Sequence, residues 1–324
     1  MLQGFDAVKE TVDLGPAAEI PDEIEQLAWE KLATNLRVEE ALVSALSLLD
    51  GLEVVVFKGP ILTKMIYGDL RCRASADNDI WVDWAHVFDA LERLLTAGYS
   101  AQSGLDPRAA ILRVGQVALF HNDQSRPSLD LHAEPFSGRF FQVKPQMLRS
   151  HIMTVDVHGI RTQTFMPELA FVHLVAHYVQ HHFEEALLVD IAAAWERWSA
   201  DESIRNGIFE LAPVTCTMPG LVLTVGMARA VHSRSEMSAP PVPTSLTSAW
   251  ERARVACVSR VLGTSLGKRA LIRKFLALFL VAPASLLKGI LGATFLDKDD
   301  LVSRYGSGQY WLLLLRHLRA SLTG

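Results

Sequence analysis

The chain has 324 residues, half of them hydrophobic, and a formal net charge of −5. That composition excludes a disordered or fibrous chain, and the mildly acidic balance argues against a general nucleic-acid binder. Its three cysteines, Cys72, Cys216 and Cys257, are odd in number and widely spaced. They fit neither a disulfide framework nor a metal finger, so the expected compartment is a reducing cytoplasm.

The first fourteen residues carry acids and lack a continuous apolar run, so no secretion signal is expected. Residues 1–50 hold eleven acids against three bases, an excess read as a solvated face. Ile24, Ala28, Leu32 and Leu36 recur at helical spacing, and Ala41, Leu42, Ala45, Leu46 and Leu49 continue it. Two helices packed on the following region are predicted. The β-branched run Val54-Val55-Val56-Phe57, ending in Lys58-Gly59, reads as a buried strand. Residues 61–67 supply a short amphipathic helix that Gly68 ends.

Next comes Arg73-Ala74-Ser75-Ala76-Asp77-Asn78-Asp79, leading into a second apolar run, Ile80-Trp81-Val82. In extended backbone, residues i and i+2 point to the same side. Asp77 and Asp79 are therefore delivered to one point, where like charges repel unless a cation lies between them. A hard divalent ion with oxygen ligands, Mg²⁺ above all, is the natural occupant.

Residues 87–97 predict a helix stopped by Gly98, and 109–114 and 117–121 alternate like strands around a Gly115-Gln116 hairpin turn. The strand 128–132 puts Asp130 and His132 on one face and Leu129 and Leu131 on the other. Either it is an edge strand with a solvated Asp130, or its polar face looks into a cleft; burying an unpaired carboxylate is costly. Residues 155–160 read as an outlying hairpin, and Pro167-Glu168 opens a long helix.

On that helix His173, His177 and His181 recur every fourth residue, with His182 beside them. They form either a metal site or a face that lines the cleft or hydrogen-bonds in the core. From 205 onward the chain reads as further helices, with a proline-containing loop at 235–245. Residues 252–274 carry seven bases, and the apolar run 275–295 is interrupted by Pro283 and Lys288. Two readings of 252–295 stand: a buried helix pair, or a surface for peripheral membrane or protein contact.

The ordered set of strand, Lys58-Gly59, short helix, Arg73-x-Ser75-x-Asp77-x-Asp79 and apolar strand resembles the polymerase-β-like nucleotidyltransferase superfamily. More narrowly it resembles the bacterial "uncharacterised nucleotidyltransferase" family, from the N-terminus to about residue 195. The resemblance implies an α+β fold: a small mixed-sheet nucleotidyltransferase core (51–165), N-terminal helices (1–50) and a C-terminal helical domain (166–324). It implies that Asp77, Asp79 and Asp130 form a catalytic, metal-binding triad for Mg²⁺ or Mn²⁺. Lys58, Gly59, Arg73 and Ser75 would bind the nucleotide, an NTP and by expectation ATP. Where the superfamily has a Gly-Ser turn this chain has Gly59-Pro60, with Lys58 as the substitute.

His177 and Asp190-Ile191-Ala192 match a helix of the resembled family, so His132, His177 and Asp190 are candidates for support on the cleft side. The implied activity is metal-dependent transfer of NMP from an NTP to a small molecule, peptide or protein, with peptide modification one possibility. Two alternatives stand beside it: a catalytically degenerate protein that binds nucleotide or a partner, and a helical scaffold or membrane-associated adaptor. Simpler readings also stand for single residues, with Lys58 an exposed turn lysine and Arg73 a salt-bridge partner of Asp77.

Overall fold

The computed structural model describes residues 22–136, 141, 143–231, 240–263 and 270–281. Helix α1 (Asp22–Leu48) opens with Asp22, Glu23 and Glu25, whose charges offset the positive end of the helix dipole. The expected division into two helices is absent. Arg37-Val38-Glu39-Glu40 contains no glycine or proline, so one helix runs through. Its buried stripe is Val38, Ala41, Leu42, Ala45 and Leu46, whereas Ile24 and Leu36 face water. The acidic face is solvated except at Glu39, which is buried and paired with Lys64 and His158.

Strand β1 (Val54–Val56) leads into α2 (Gly59–Tyr67), which Gly68 closes at φ +73°, a conformation only glycine adopts cheaply. Then follow β2 (Asp77–Val82), α3 (Val87–Thr96) and β3 (Tyr99–Ala101), the last too short to leave a pattern in the sequence. Residues 109–114 are helical, not extended: they belong to α4 (Pro107–Val114). The Asp106 carboxylate accepts the Arg108 amide N–H, Pro107 presets the first turn, and Gly115 ends the helix at φ +78°. Gly115-Gln116 is therefore a helix stop followed directly by β4 (Gln116–His121), not a hairpin turn.

After β5 (Ser128–His132) and α5 (Pro145–Arg149), the hairpin β6 (Ile152–Val157) and β7 (Ile160–Phe165) turns at His158 and Gly159, both with positive φ. It is no outlier. Strand β7 runs parallel to β1, so the hairpin extends a seven-stranded mixed sheet of order β3-β4-β5-β2-β1-β7-β6. The chain continues as helices: α6 (Pro167–Gln180), α7 (Glu185–Trp198), α8 (Glu202–Val214), α9 (Met218–Val231), α10 (Ala249–Leu262) and α11 (Ala270–Val281).

The two faces of the sheet bury different cores. Val54, Val56, Ile80, Val82, Leu129 and Leu131 pack with Leu42 of α1 and Leu91 and Leu94 of α3. Val55, Phe57, Trp81 and Phe165 pack with Phe171 and Val175 of α6 and with Trp195 of α7. Each large apolar side chain so buried contributes roughly 1.5–3 kcal/mol. Helices α10 and α11 pack on each other, but α10 buries only Arg254 and Val258; residues from 282 onward, and with them most of the apolar run 275–295, lie outside the described residues. Among the described residues, no helix is long and apolar enough to cross a membrane.

Candidate active site

Strands β2 and β5 are parallel neighbours, and their register sets Asp79 beside Asp130 and Asp77 beside Ser128. Residues opposite one another in register share a face, so strand pairing closes the long sequence gap between the carboxylates. Strand β5 lies between β4 and β2, which removes the edge-strand reading of Asp130. On its other side Asp130 pairs with Ala118, a single methyl where a larger side chain would cover the carboxylate. Above these residues lies a cavity of about 550 Å³, on the α6 side of the sheet. Its wall includes Lys58, Gly59, Arg73, Ser75, Asp77, Asp79, Asp130, His132 and His177.

The three carboxylates have unequal surroundings. Asp79 is buried, and its Oδ1 accepts from Lys58 Nζ at 2.7 Å and from His132 Nε2 at 3.0 Å. Burial alone would raise its pKa; the Lys58 ammonium and the His132 imidazole outweigh that and hold Asp79 well below the usual carboxylate range. Among the described residues, neither Asp77 nor Asp130 has a side-chain hydrogen bond or ion pair. Burial and then the Asp79 charge raise Asp77, and the same two causes push Asp130 up to about 6. One acid is held in direct contact by Lys58 and His132, and its two neighbours have no such partner among the described residues.

Lys58 is thus no exposed turn lysine; its side chain is 16% accessible and aimed at Asp79. A Cβ on Gly59, at φ +67°, would come within 3.2 Å of the Asp77 carbonyl oxygen, so the close approach of α2 to β2 needs glycine there. Arg73 does not pair with Asp77. Its Nε donates to Asp190 Oδ2 at 2.7 Å and its Nη1 to Ser75 Oγ at 3.1 Å. Tyr67 Oη donates to Asp190 Oδ1 at 2.8 Å. Asp190, on α7, therefore stands behind the cavity wall and fixes Arg73.

The imidazoles of His173, His177 and His181 follow one another along α6 and its C-terminal cap, with ring centroids 6.0 and 4.1 Å apart. All three line the cavity. Burial, and next the Lys58 charge, push His173 down to about 3 and lower His177 and His181 as well. The column is uncharged at neutral pH. His173 Nε2 lies 3.0 Å from the Pro135 carbonyl oxygen, the hydrogen-bonded core role among the two expected.

Residues 7–213, well over half the chain, match the family described as uncharacterised nucleotidyltransferase. The chain belongs to that family. No curated protein matches it significantly. A crystal structure of an antigenic nucleotidyltransferase-like protein from Paracoccidioides brasiliensis aligns with 14% identity and a TM-score of 0.35, covering 66% of this chain and 95% of that one. A superposition of that quality supports no inference about function.

In this member of the family, Asp79, Asp130 and His132 each offer a donor atom, and these atoms lie within 4.8 Å of one another. That makes them, among the described residues, the group of acids and imidazoles that could hold an ion; Asp77 shares the cavity wall but stands outside the group, as does the histidine column. The donor set fits a divalent cation: it joins two carboxylates, of which Asp130 has no ion-pair partner among the described residues, to an imidazole nitrogen. No motif marks Asn35, whose buried amide holds the Arg73–Ser75 loop: Nδ2 donates to the Leu70 and Arg73 carbonyls and Oδ1 accepts the Ser75 N–H. Nor does any motif mark Tyr67 as a partner of Asp190. A polar residue on the apolar face of α1 is the only trace Asn35 leaves in the sequence.

Proposed function

We propose that this protein is a metal-dependent nucleotidyltransferase that moves NMP from an NTP, ATP by expectation, to an acceptor hydroxyl or amine. The observation that carries this reading is the in-register placement of Asp79 beside Asp130 over one cavity that also holds Lys58 and Arg73, in a chain of this family.

Asp79 and Asp130, with Asp77 at the same wall, would hold the ions. Mg²⁺ or Mn²⁺ in such a site neutralises charge on the phosphoryl oxygens and orients the groups that exchange. Lys58 and Arg73 supply positive charge to the triphosphate, and Gly59 lets the first turn of α2 approach it closely. Asp130, in register beside Asp79 and lining the same cavity, would receive the acceptor's proton. As the acceptor oxygen or nitrogen bonds to the α-phosphorus, pyrophosphate leaves with its bonding electron pair and the acceptor's proton passes to Asp130.

A cytoplasmic location and a peptide among the possible acceptors complete the proposal. The competing reading, a nucleotide-binding protein without turnover, is favoured by Pro60 standing where the superfamily has serine. Mg²⁺-dependent label transfer from radiolabelled NTP separates the two. Wild type should transfer, and Asp77→Asn or Asp79→Asn should not. Equal transfer by both variants at equal Mg²⁺ would end the assignment of that pair.

A further inference from the structure

We propose that Lys58 is the resident counterion of this cavity, and that it makes the site a receptor for a metal–nucleotide complex rather than for a free divalent cation. The inference rests on the nucleotidyl-transfer reading and deepens it. Lys58 Nζ lies 2.7 Å from Asp79 Oδ1, and His132 Nε2 lies 3.0 Å from the same oxygen, on a side chain only 2% accessible. One buried carboxylate oxygen thus already serves a cation and a second donor. The same Asp79 belongs to the group of donors close enough to share an ion.

A free divalent cation that takes Asp79 must come in beside the ammonium, where like charges a few ångströms apart repel strongly in a partly dry site. It offers Lys58 nothing in return. A metal–nucleotide complex does, because its phosphate oxygens accept the ammonium as Asp79 turns to the ion. Every charge then keeps a partner through the exchange. Lysine suits this part: it is a point charge on a flexible four-carbon stem, able to change partners without the fixed fork geometry of arginine. Lys58 also stands at the N-cap of α2 without capping the helix through its own side chain, so the helix does not hold it in place. Asp77 and Asp130, which have no ion-pair partner among the described residues, are left for the incoming ion.

The contrary reading is a permanent salt bridge that only braces Asp79. The two readings differ in what removal of Lys58 does to metal binding in the absence of nucleotide. The measurement is the fraction of free Mn²⁺, read from its electron paramagnetic resonance signal, in titrations of the whole chain with Mn²⁺ alone. Lys58→Met, which keeps the length and removes the charge, should bind Mn²⁺ roughly tenfold more tightly than wild type, or better. It should bind ATP more weakly. Lys58→Arg should stay close to wild type for Mn²⁺, and adding Asp130→Asn to Lys58→Met should abolish the gain, which places it at this site.

Mn²⁺ binding to Lys58→Met no tighter than to wild type would overturn the proposal while leaving the transfer reading intact. Should Lys58→Met fail to fold, Lys58→Gln decides in the same titration with Mn²⁺ alone: it must bind Mn²⁺ roughly tenfold more tightly than wild type, and equal affinity overturns the proposal. Absence of Mn²⁺ binding under every condition would remove the transfer reading itself, and this proposal with it.

Discussion

The two faces of β2 and β5 differ by one residue in sequence and by everything in chemistry. Asn78, Ile80 and Val82, with Leu129 and Leu131, look toward α1 and α3, and their aliphatic members fill one core. Asp77, Asp79 and Trp81, with Asp130 and His132, look toward α6, and there the sheet carries three carboxylates over an open cavity. The alternation of a strand lets one stretch of chain stabilise on one side what it strains on the other. The apolar face gains by burial. The acidic face costs stability, since Asp77 and Asp130 are partly buried with no ion-pair partner among the described residues, a pattern common at ligand sites.

The largest separation of the faces should come from Asp130→Asn in an activity assay. On the proposed roles it takes away a metal ligand and the proton acceptor, so transfer should fall by at least about 10²–10⁴-fold while nucleotide binding survives. Transfer within a few-fold of wild type would remove Asp130 from the site. On the opposite face, Leu131→Ala should cost about 2–5 kcal/mol of unfolding free energy, measured by denaturant titration, because it opens a cavity in a closed core. The protein that remains folded should keep its metal and nucleotide affinity.

A subtler contrast is the stability of Asp130→Asn itself. Asp130 has a folded pKa near 6 against an ordinary value of 3.8, so the folded chain holds its proton more tightly than the unfolded one. Ionisation therefore costs stability, and the loss develops as pH rises from about 3.8 to 6. At pH 7 without metal, Asp130→Asn should be more stable than wild type by on the order of 1–3 kcal/mol, seen as a higher Tm. A lower Tm would mean that the acidic face carries no such cost.

The smallest effect belongs to the histidine column. His173 is pushed from 6.5 down to about 3, first by burial, so the unfolded chain binds its proton more readily than the folded one. Stability is then fully present above pH 6.5 and falls as pH drops below it, by up to about 2 kcal/mol at pH 5. Asp130 acts with the opposite sign over part of that range, so the slope is best read in the Asp130→Asn background. His173→Gln should flatten it; an unchanged slope would assign the acid sensitivity elsewhere.

What the sequence disclosed, and what it hid, follows from the range of the interactions involved. Lys58-Gly59, the Asp77/Asp79 pair and the Asp130/His132 face are local alternation patterns, and the cavity gathers all of them. Helix α4 was equally local but carried conflicting signals: residues 109–114 alternate like a strand, while Asp106, Pro107 and Gly115 spell a capped helix. The caps prevail because they satisfy backbone donors that alternation leaves open. The pairings Lys58–Asp79, Arg73–Asp190 and Asn35 with the Arg73–Ser75 loop join residues far apart in the chain, and no periodicity announces them. Side-chain pairing across a fold is written in three dimensions only.

The central claim is tested most directly by following two labels of one nucleotide. ATP labelled on the α-phosphate and ATP labelled on the γ-phosphate are each incubated with Mg²⁺, the wild-type protein and a cell extract as the source of acceptor, with Asp79→Asn as the control. The account predicts that the α-label moves into a new product, that the γ-label leaves as pyrophosphate, and that Asp79→Asn does neither. Transfer of the γ-label to the product, or equal α-label transfer by wild type and Asp79→Asn, would contradict it.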